Sequence, residues 1–262
     1  MQSFYILLEP VRNRFFRNIS RISHSFLVAS TNFKKSRSGA GSESQEKASR
    51  YELKSEHIRR FIQLLQEKIT EYDCGKLCRQ NDGGGIPYCC TTEHAVPLLY
   101  EIELEYLKDQ GDLWSRWNPE SGRDRELIKS VPNGQVFCAC KGYESCVREQ
   151  RSISCRTFPL EPYLDRRGKF VGLTFIRDFT DKDPKTGRLK CPLTARKNDI
   201  RTEYIDNLFM FWKELMQIRE EEHATYVQTS EFLRREYDKM GRRFHVLFPS
   251  QIDRQEAMAY IY

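Results

Sequence analysis

Four cysteines fall within residues 74–90, CGKLCRQNDGGGIPYCC, the last two of them adjacent. Four more, Cys138, Cys140, Cys146 and Cys155, lie in FCACKGYESCVREQRSISC, and Cys191 stands apart in LKCPL. Thiols this dense constrain the fold more than any other feature, because they must pair, bind metal or be buried reduced. Nine is an odd number, and no small-residue cleavage site follows an apolar leader, which argues against an extracellular disulfide framework. A chain of 262 residues also buries enough apolar surface to fold without such staples.

Four thiolates are what a tetrahedral zinc site or a cubane iron–sulfur cluster requires. Cys74 and Cys78 are spaced i, i+4, one face of a helical turn, and Cys138 and Cys140 are spaced i, i+2, one face of an extended segment. Each pair can point at one centre. Adjacent Cys89 and Cys90 project apart, so they serve two different ions or only one of them binds. Gly83, Gly84 and Gly85 permit positive φ angles and close backbone approach to a cluster, though the same run reads equally well as a surface turn. No Lys-Ser/Thr pair follows it, which excludes a phosphate loop.

Apolar residues Ile58, Phe61, Ile62, Leu65, Ile69 and Tyr72 predict a helix over 55–73 that delivers Cys74 at its end. A second helix is expected after Cys90, with Pro97 in its first turn and Gly111 as its stop. Residues 112–134 read as polar turns, and two extended runs around Asp165–Gly168 as a hairpin. A helix over 202–222 and another ending near Gly241 complete the pattern. The expected fold is mainly α with a small β-hairpin: a metal-centred, cysteine-rich single domain over 51–262, preceded by a basic leader or transit-like tail over 1–50.

The tail carries nine Lys or Arg against three Glu, leaving 34 basic and 34 acidic residues in 51–262. The net charge of +6 therefore belongs to the tail. A nucleic-acid binder should carry its basic excess on the folded domain, so no nucleic-acid partner is expected. Apolar runs in the tail are far short of the roughly 20 residues that span a bilayer, so no membrane insertion is expected. The expected location is cytoplasmic, with organelle import if the tail is a transit peptide.

CGKLCRQNDGGGIPYCC, the closely spaced later cysteines and then RSISCRTFPLEPY resemble the YkgJ-like cysteine-cluster family, described as zinc- or iron-chelating. The resemblance covers about residues 74–195, and SCRTFPLEP is its most specific piece. The run Cys138, Cys140, Cys146, Cys155 is also similar to the motif that holds a four-iron cluster in flagellin lysine N-methylases. That similarity implies that these four are cluster ligands and that a protein substrate is conceivable, but the glycine-rich fingerprint of a Rossmann-type cofactor site is absent.

The expected function is metal binding, with iron held as an iron–sulfur cluster or as iron by Cys74, Cys78, Cys89, Cys90, Cys138, Cys140, Cys146, Cys155 and Cys191, and with zinc in a structural module as the alternative. The four cysteines of 138–155 are expected to wrap one centre, with Cys191 outside it. His94 and Glu103 are secondary candidate ligands, each balanced by a plainer reading as a surface histidine and a solvated acidic helix. Arg156 can offset thiolate charge or form a structural ion pair. The absence of any C-x-x-C weighs against a thioredoxin-like site.

Overall fold

In the computed structural model of the chain, residues 5–6, 52–82, 85–92, 95–129, 131–183 and 186–261 are described. His94, Gly83, Gly84 and nearly all of the tail lie outside them.

The run VPLLY over Val96–Tyr100 is buried at all five positions, with no polar face to offer solvent, and it forms a strand, β2. One edge of β2 pairs with β1 (Tyr5–Ile6) and the other with β4 (Gln135–Cys140), which pairs in turn with β3 (Trp114–Arg116). All pairings are antiparallel, and the order is β1-β2-β4-β3. Side-chain alternation along β4 sends Val136 and Cys138 into the main core and Phe137 to the opposite face, against Val96 and Leu98.

A second antiparallel sheet has the order β5-β6-β7, with β5 at Leu160–Leu164, β6 at Phe170–Phe175 and β7 at Val246–Leu247. Pro162, which cannot donate to a ladder, is tolerated because β5 is an edge strand.

Eight helices surround these sheets among the described residues: α1 (Ser55–Leu64), α2 (Gly75–Asp82), α3 (Glu101–Gln110), α4 (Gly122–Lys129), α5 (Ile153–Thr157), α6 (Thr202–Ile218), α7 (Glu220–Lys239) and α8 (Arg254–Met258). Ile58, Phe61 and Ile62 of α1 meet the apolar stripe of α6, where Phe61 packs edge-on against Phe211 at 4.9 Å. Trp212 in turn meets Tyr226 of α7 at 4.9 Å. Tyr163, Val171, Leu233, Phe244, Ala257 and Ile261 make a smaller core beyond β5.

The architecture is mixed α and β, which corrects the expected mainly helical fold. The helix after Cys90 starts only at Glu101, because the preceding apolar run is a strand; Glu101 and Glu103 then occupy its first turn, where the helix dipole favours acids. Helix α1 stops at Leu64, short of the expected 55–73, and Tyr72 is exposed, its hydroxyl donating to Asp199 Oδ2 at 2.6 Å. Residues 112–134 contain β3 and α4. The expectation of a metal-centred fold is corrected as well. The core is aliphatic and aromatic, and among the described residues no three His, Cys, Asp or Glu side chains form a group that could hold a metal ion. No helix of the described residues is long and apolar enough to cross a membrane.

Candidate functional site

All nine cysteines are free thiols; Cys78, Cys138 and Cys191 are buried and the other six half-buried. Cys74 lies at the entrance to α2, where Asp73 Oδ1 accepts the Gly75 amide at 3.0 Å. A Cβ on Gly75 would meet Pro87 Cγ at 3.4 Å, so the first turn of α2 rests against the turn Tyr88–Cys90. Tyr88 packs edge-on against Phe179 at 5.8 Å, and Lys190 Nζ lies 5.7 Å from the centre of the Tyr88 ring. The Cys191 amide donates to the Phe179 carbonyl at 3.3 Å. These contacts bring Cys191, remote in sequence, beside the 74–90 segment.

Cys140 ends β4 opposite Trp114, whose indole nitrogen donates to Gln150 O at 2.7 Å. Gly142, at φ +95, turns the chain into the short helical turn Tyr143–Ser145 that leads to Cys146. Arg151 Nε donates to Cys146 Sγ at 3.4 Å. Ser152 caps α5 by accepting the Cys155 amide at 3.2 Å. The segment 140–155 thus folds back on itself, with its three thiols on one side of a tight loop.

Mutual perturbation links the thiols of these segments. Burial first, and then Cys90, Cys140 and Cys146, push Cys155 up to about 12 against the Ser152 hydrogen bond. Cys140 is raised by burial and by Cys90 and Cys146, countered in part by the Gly142 amide. Cys89 is held well above the ordinary thiol range, first by its hydrogen bond with Cys90, then by burial and by Cys78 and Cys74. Cys191 is raised by burial and then by Cys78 and Cys74. Cys74 is raised by burial, Asp73 and Cys90. The couplings cross the vicinal pair, since Cys90 perturbs Cys74 and Cys89 as well as Cys140 and Cys155, so Cys74, Cys78, Cys89, Cys90, Cys140, Cys146, Cys155 and Cys191 form one continuous neighbourhood.

Cys138 stands apart from it. It shares a strand face with Cys140 but sits one side-chain step, about 7 Å, further along β4, fully buried under α3. Burial first and Glu103 second push its thiol up to about 12.

Burial, which disfavours the charged thiolate, is the first cause at Cys74, Cys140, Cys155 and Cys191. Arginines stand close to these thiols. Arg156 is buried, and its guanidinium donates to Arg151 O, Leu65 O, Gln66 Oε1, Arg148 O and Glu149 O, all within 3.3 Å. Burial first and the like charge of Arg148 second push it down to about 10. Its partners are the carbonyl oxygens of Arg148, Glu149 and Arg151 in the cysteine-bearing loop and, after α1, Leu65 O and the Gln66 side chain, in place of the ion pair considered from sequence. Arg148 likewise donates to the carbonyls of Gln66 and Glu67. Sequence reasoning had no signal for Arg148 and Arg151, whose partners lie on other segments or depend on the fold of the loop.

Glu103 is fully buried, which excludes the solvated-helix reading for this residue. Its Oε1 accepts the Ile153 amide at 2.7 Å, while its Oε2 lacks a hydrogen-bond partner. Burial raises its carboxyl to about 7, against the lowering effects of backbone hydrogen bonds and Arg156. The folded state therefore keeps a proton that the unfolded chain gives up near the ordinary 4.5. Stability is lost as pH rises from about 4.5 toward 7 and stays reduced above that, by roughly 3 kcal/mol at most. Glu103→Gln should keep the Ile153 bond and remove this slope. Urea unfolding should find the variant more stable than wild type at pH 8 and about equal at pH 4.5; a difference independent of pH would contradict the assignment.

No family model, no curated protein and no solved structure matches this chain.

Proposed function

We propose that the protein binds iron, as an iron–sulfur cluster, through its clustered cysteines. The carrying observation is that eight thiols from separate segments share one region and perturb one another without converging on a single ion.

A lone tetrahedral zinc, with Zn–S bonds of about 2.3 Å, would hold its sulfurs within about 4 Å of each other. A cubane, with an iron at each ligated corner, accepts thiolates set farther apart. The donors are all sulfur, which suits iron–sulfur clusters and zinc better than hard cations. When bound, a cluster supplies reversible one-electron transfer and, at the same time, ties its segments together.

The chain's own residues fit that role. Arg151 on Cys146 and the Gly142 amide on Cys140 supply hydrogen bonds to sulfur that stabilise its charged form. Arg148 and Arg156 fix the loop and add positive charge where thiolates would otherwise repel. The resemblance to cysteine-cluster proteins agrees with this reading and supplies no substrate.

Protein purified without oxygen should be brown, absorb broadly near about 400 nm and release acid-labile sulfide. A colourless protein with stoichiometric zinc and no sulfide would overturn the iron–sulfur reading in favour of a structural zinc module. A protein free of both metals would overturn metal binding itself.

A further inference from the structure

The geometry points to a binding site for a small aromatic phosphate monoester in a pocket of about 290 Å³ that Thr174, Leu189, Tyr237, Arg243 and His245 help to line. The inference does not depend on the metal-binding reading, and no cysteine lines this pocket.

Separate stretches of chain build it. Thr174 and Phe175 close β6, and Thr174 Oγ1 donates to His245 O at 3.1 Å, which holds the segment leading into β7 beside that strand. Gly241, at φ +60, reverses the chain after α7, so that the Arg242 amide returns to Tyr237 O at 3.0 Å and Arg243 and His245 follow before β7. The bridge between Lys182 and Leu189 and the turn Pro192–Ala195 bring up the remaining wall. The volume is close to the lower bound of about 300 Å³ for small-molecule pockets.

Half of the lining suits a flat apolar body. Phe175, Leu189, Ala195, Tyr237 and Phe244 contribute to it, and the rings of Tyr237 and Phe244 meet edge-on at 5.4 Å, which stiffens that wall. The charged lining is positive: it holds Arg243 and His245, and among the described residues no Asp or Glu. Asp181, just after the turn Arg177–Phe179, is paired with Arg177 at 2.7 Å. Thr174, Thr180 and Thr194 give their hydroxyl protons to the carbonyls of His245, Arg177 and Cys191, so Arg243 and His245 are left as the side-chain donors suited to an anion.

Lys197 sets the state of His245. Its Nζ lies 2.9 Å from Nδ1 and 3.2 Å from Nε2 of the ring. An ammonium only donates, so the closer nitrogen accepts and the neutral ring carries its proton on Nε2, as a donor. Burial first and the Lys197 charge second hold His245 below the ordinary histidine range, which keeps it neutral near pH 7. A guanidinium, a ring N–H and an adjacent ammonium match a doubly charged group with three terminal oxygens better than a carboxylate, which has two oxygens and one charge.

The test is titration calorimetry of the full chain with phenyl phosphate, benzoate, phenol and inorganic phosphate. Phenyl phosphate should bind one per chain, and the other three at least about tenfold more weakly, since each lacks charge-assisted hydrogen bonds or the apolar contact. Positions 195, 242 and 243 are exposed, so substitutions there spare the core. Arg243→Gln should weaken phenyl phosphate at least about tenfold, Ala195→Phe should abolish its binding by filling the pocket, and Arg242→Gln should leave it unchanged.

Wild type that does not bind phenyl phosphate overturns the site. Equal affinity for phenol overturns its anionic character, and equal affinity for benzoate overturns the phosphate class. Equal affinity for inorganic phosphate leaves an unselective anion patch and overturns the inference as well. Undiminished binding in both Arg243→Gln and Ala195→Phe places the ligand elsewhere and overturns the assignment; the wild-type series decides alone if either variant loses its far-ultraviolet circular dichroism.

Discussion

Arg156→Ala should lose about 1–3 kcal/mol of folding stability, the cost of leaving a buried acceptor without its charged donor. The guanidinium is 5% exposed and makes five hydrogen bonds, to four backbone carbonyls and the Gln66 side chain. Leu65 and Gln66 follow α1, Arg148 and Glu149 form the turn after Cys146, and Arg151 leads into α5. One side chain thus joins the end of the first core helix to the cysteine-bearing loop. Without it Leu65 O lies buried and lacks that donor, at about 1–3 kcal/mol where water cannot enter, whereas Arg148 O keeps the Arg151 amide and Gln66 and Glu149 are exposed. A typical domain is stable by only about 5–15 kcal/mol, so the loss should be plain in the unfolding midpoint. Arg156→Lys should recover only a minor part, since an ammonium cannot reproduce the planar fork. Urea unfolding of the metal-free proteins is the measurement; a midpoint for Arg156→Ala within experimental error of wild type would show that the network carries no stability.

Arg156 also marks what the sequence could disclose. Its place directly after Cys155 singles it out, and its amphipathic choices, ion pair or charge offset, follow from its chemistry. That it would bind the Leu65 carbonyl and the Gln66 side chain depends on how α1 ends, and α1 ends at Leu64, well before the 73 that its apolar spacing suggests. Ile69 and Tyr72 continue a helical period without being in a helix; Thr70 instead bonds the Tyr72 carbonyl at 2.6 Å and turns the chain toward α2. The C-terminal helices and the hairpin at 165–168 were readable because their periods of 3.6 and 2 persist over many residues, although the first of the two helices ends at Ile218, short of the expected 222, while the second ends at Lys239, beside the Gly241 read as its stop. β2 was not, because a short run buried on both faces has no period to read.

The cysteines divide along the same line. Their number, their reduced state and the local pairs 74/78 and 138/140 are properties of adjacent residues. Their grouping is a tertiary property. Sequence distance joins Cys138 to Cys140 and isolates Cys191, whereas β4 carries Cys138 under α3 and the stack of Tyr88, Phe179 and Lys190 carries Cys191 beside the 74–90 segment, near Cys78 and Cys74. The buried Glu103 is masked in sequence by Glu101 and Glu105 on either side, of which Glu101 pairs with Arg116 at 2.6 Å.

Cys191→Ser should sharply lower the iron bound by reconstituted protein, and Cys138→Ser should leave it unchanged. A neutral hydroxyl replaces a thiolate donor poorly, so removal of a ligand should empty the site it serves. Cys191 is fixed for that role by its amide on Phe179 O and by the turn Pro192–Ala195, in which Thr194 bonds the Cys191 carbonyl at 2.8 Å. Serine at 191 preserves that backbone and deletes only the sulfur. At 138 the environment is different: the thiol points at Val136 O, 3.9 Å away, and its nearest titratable neighbour is a carboxyl held near 7. Serine there can donate to the same carbonyl at a cost of about 1–3 kcal/mol in packing and desolvation, visible in urea unfolding and not in the iron count. Iron and sulfide per chain in the two variants decide between the groupings. If Cys138→Ser loses its iron while Cys191→Ser keeps it, the centre is the single loop from Cys138 to Cys155, and the contacts that draw Cys191 to the 74–90 segment serve packing alone.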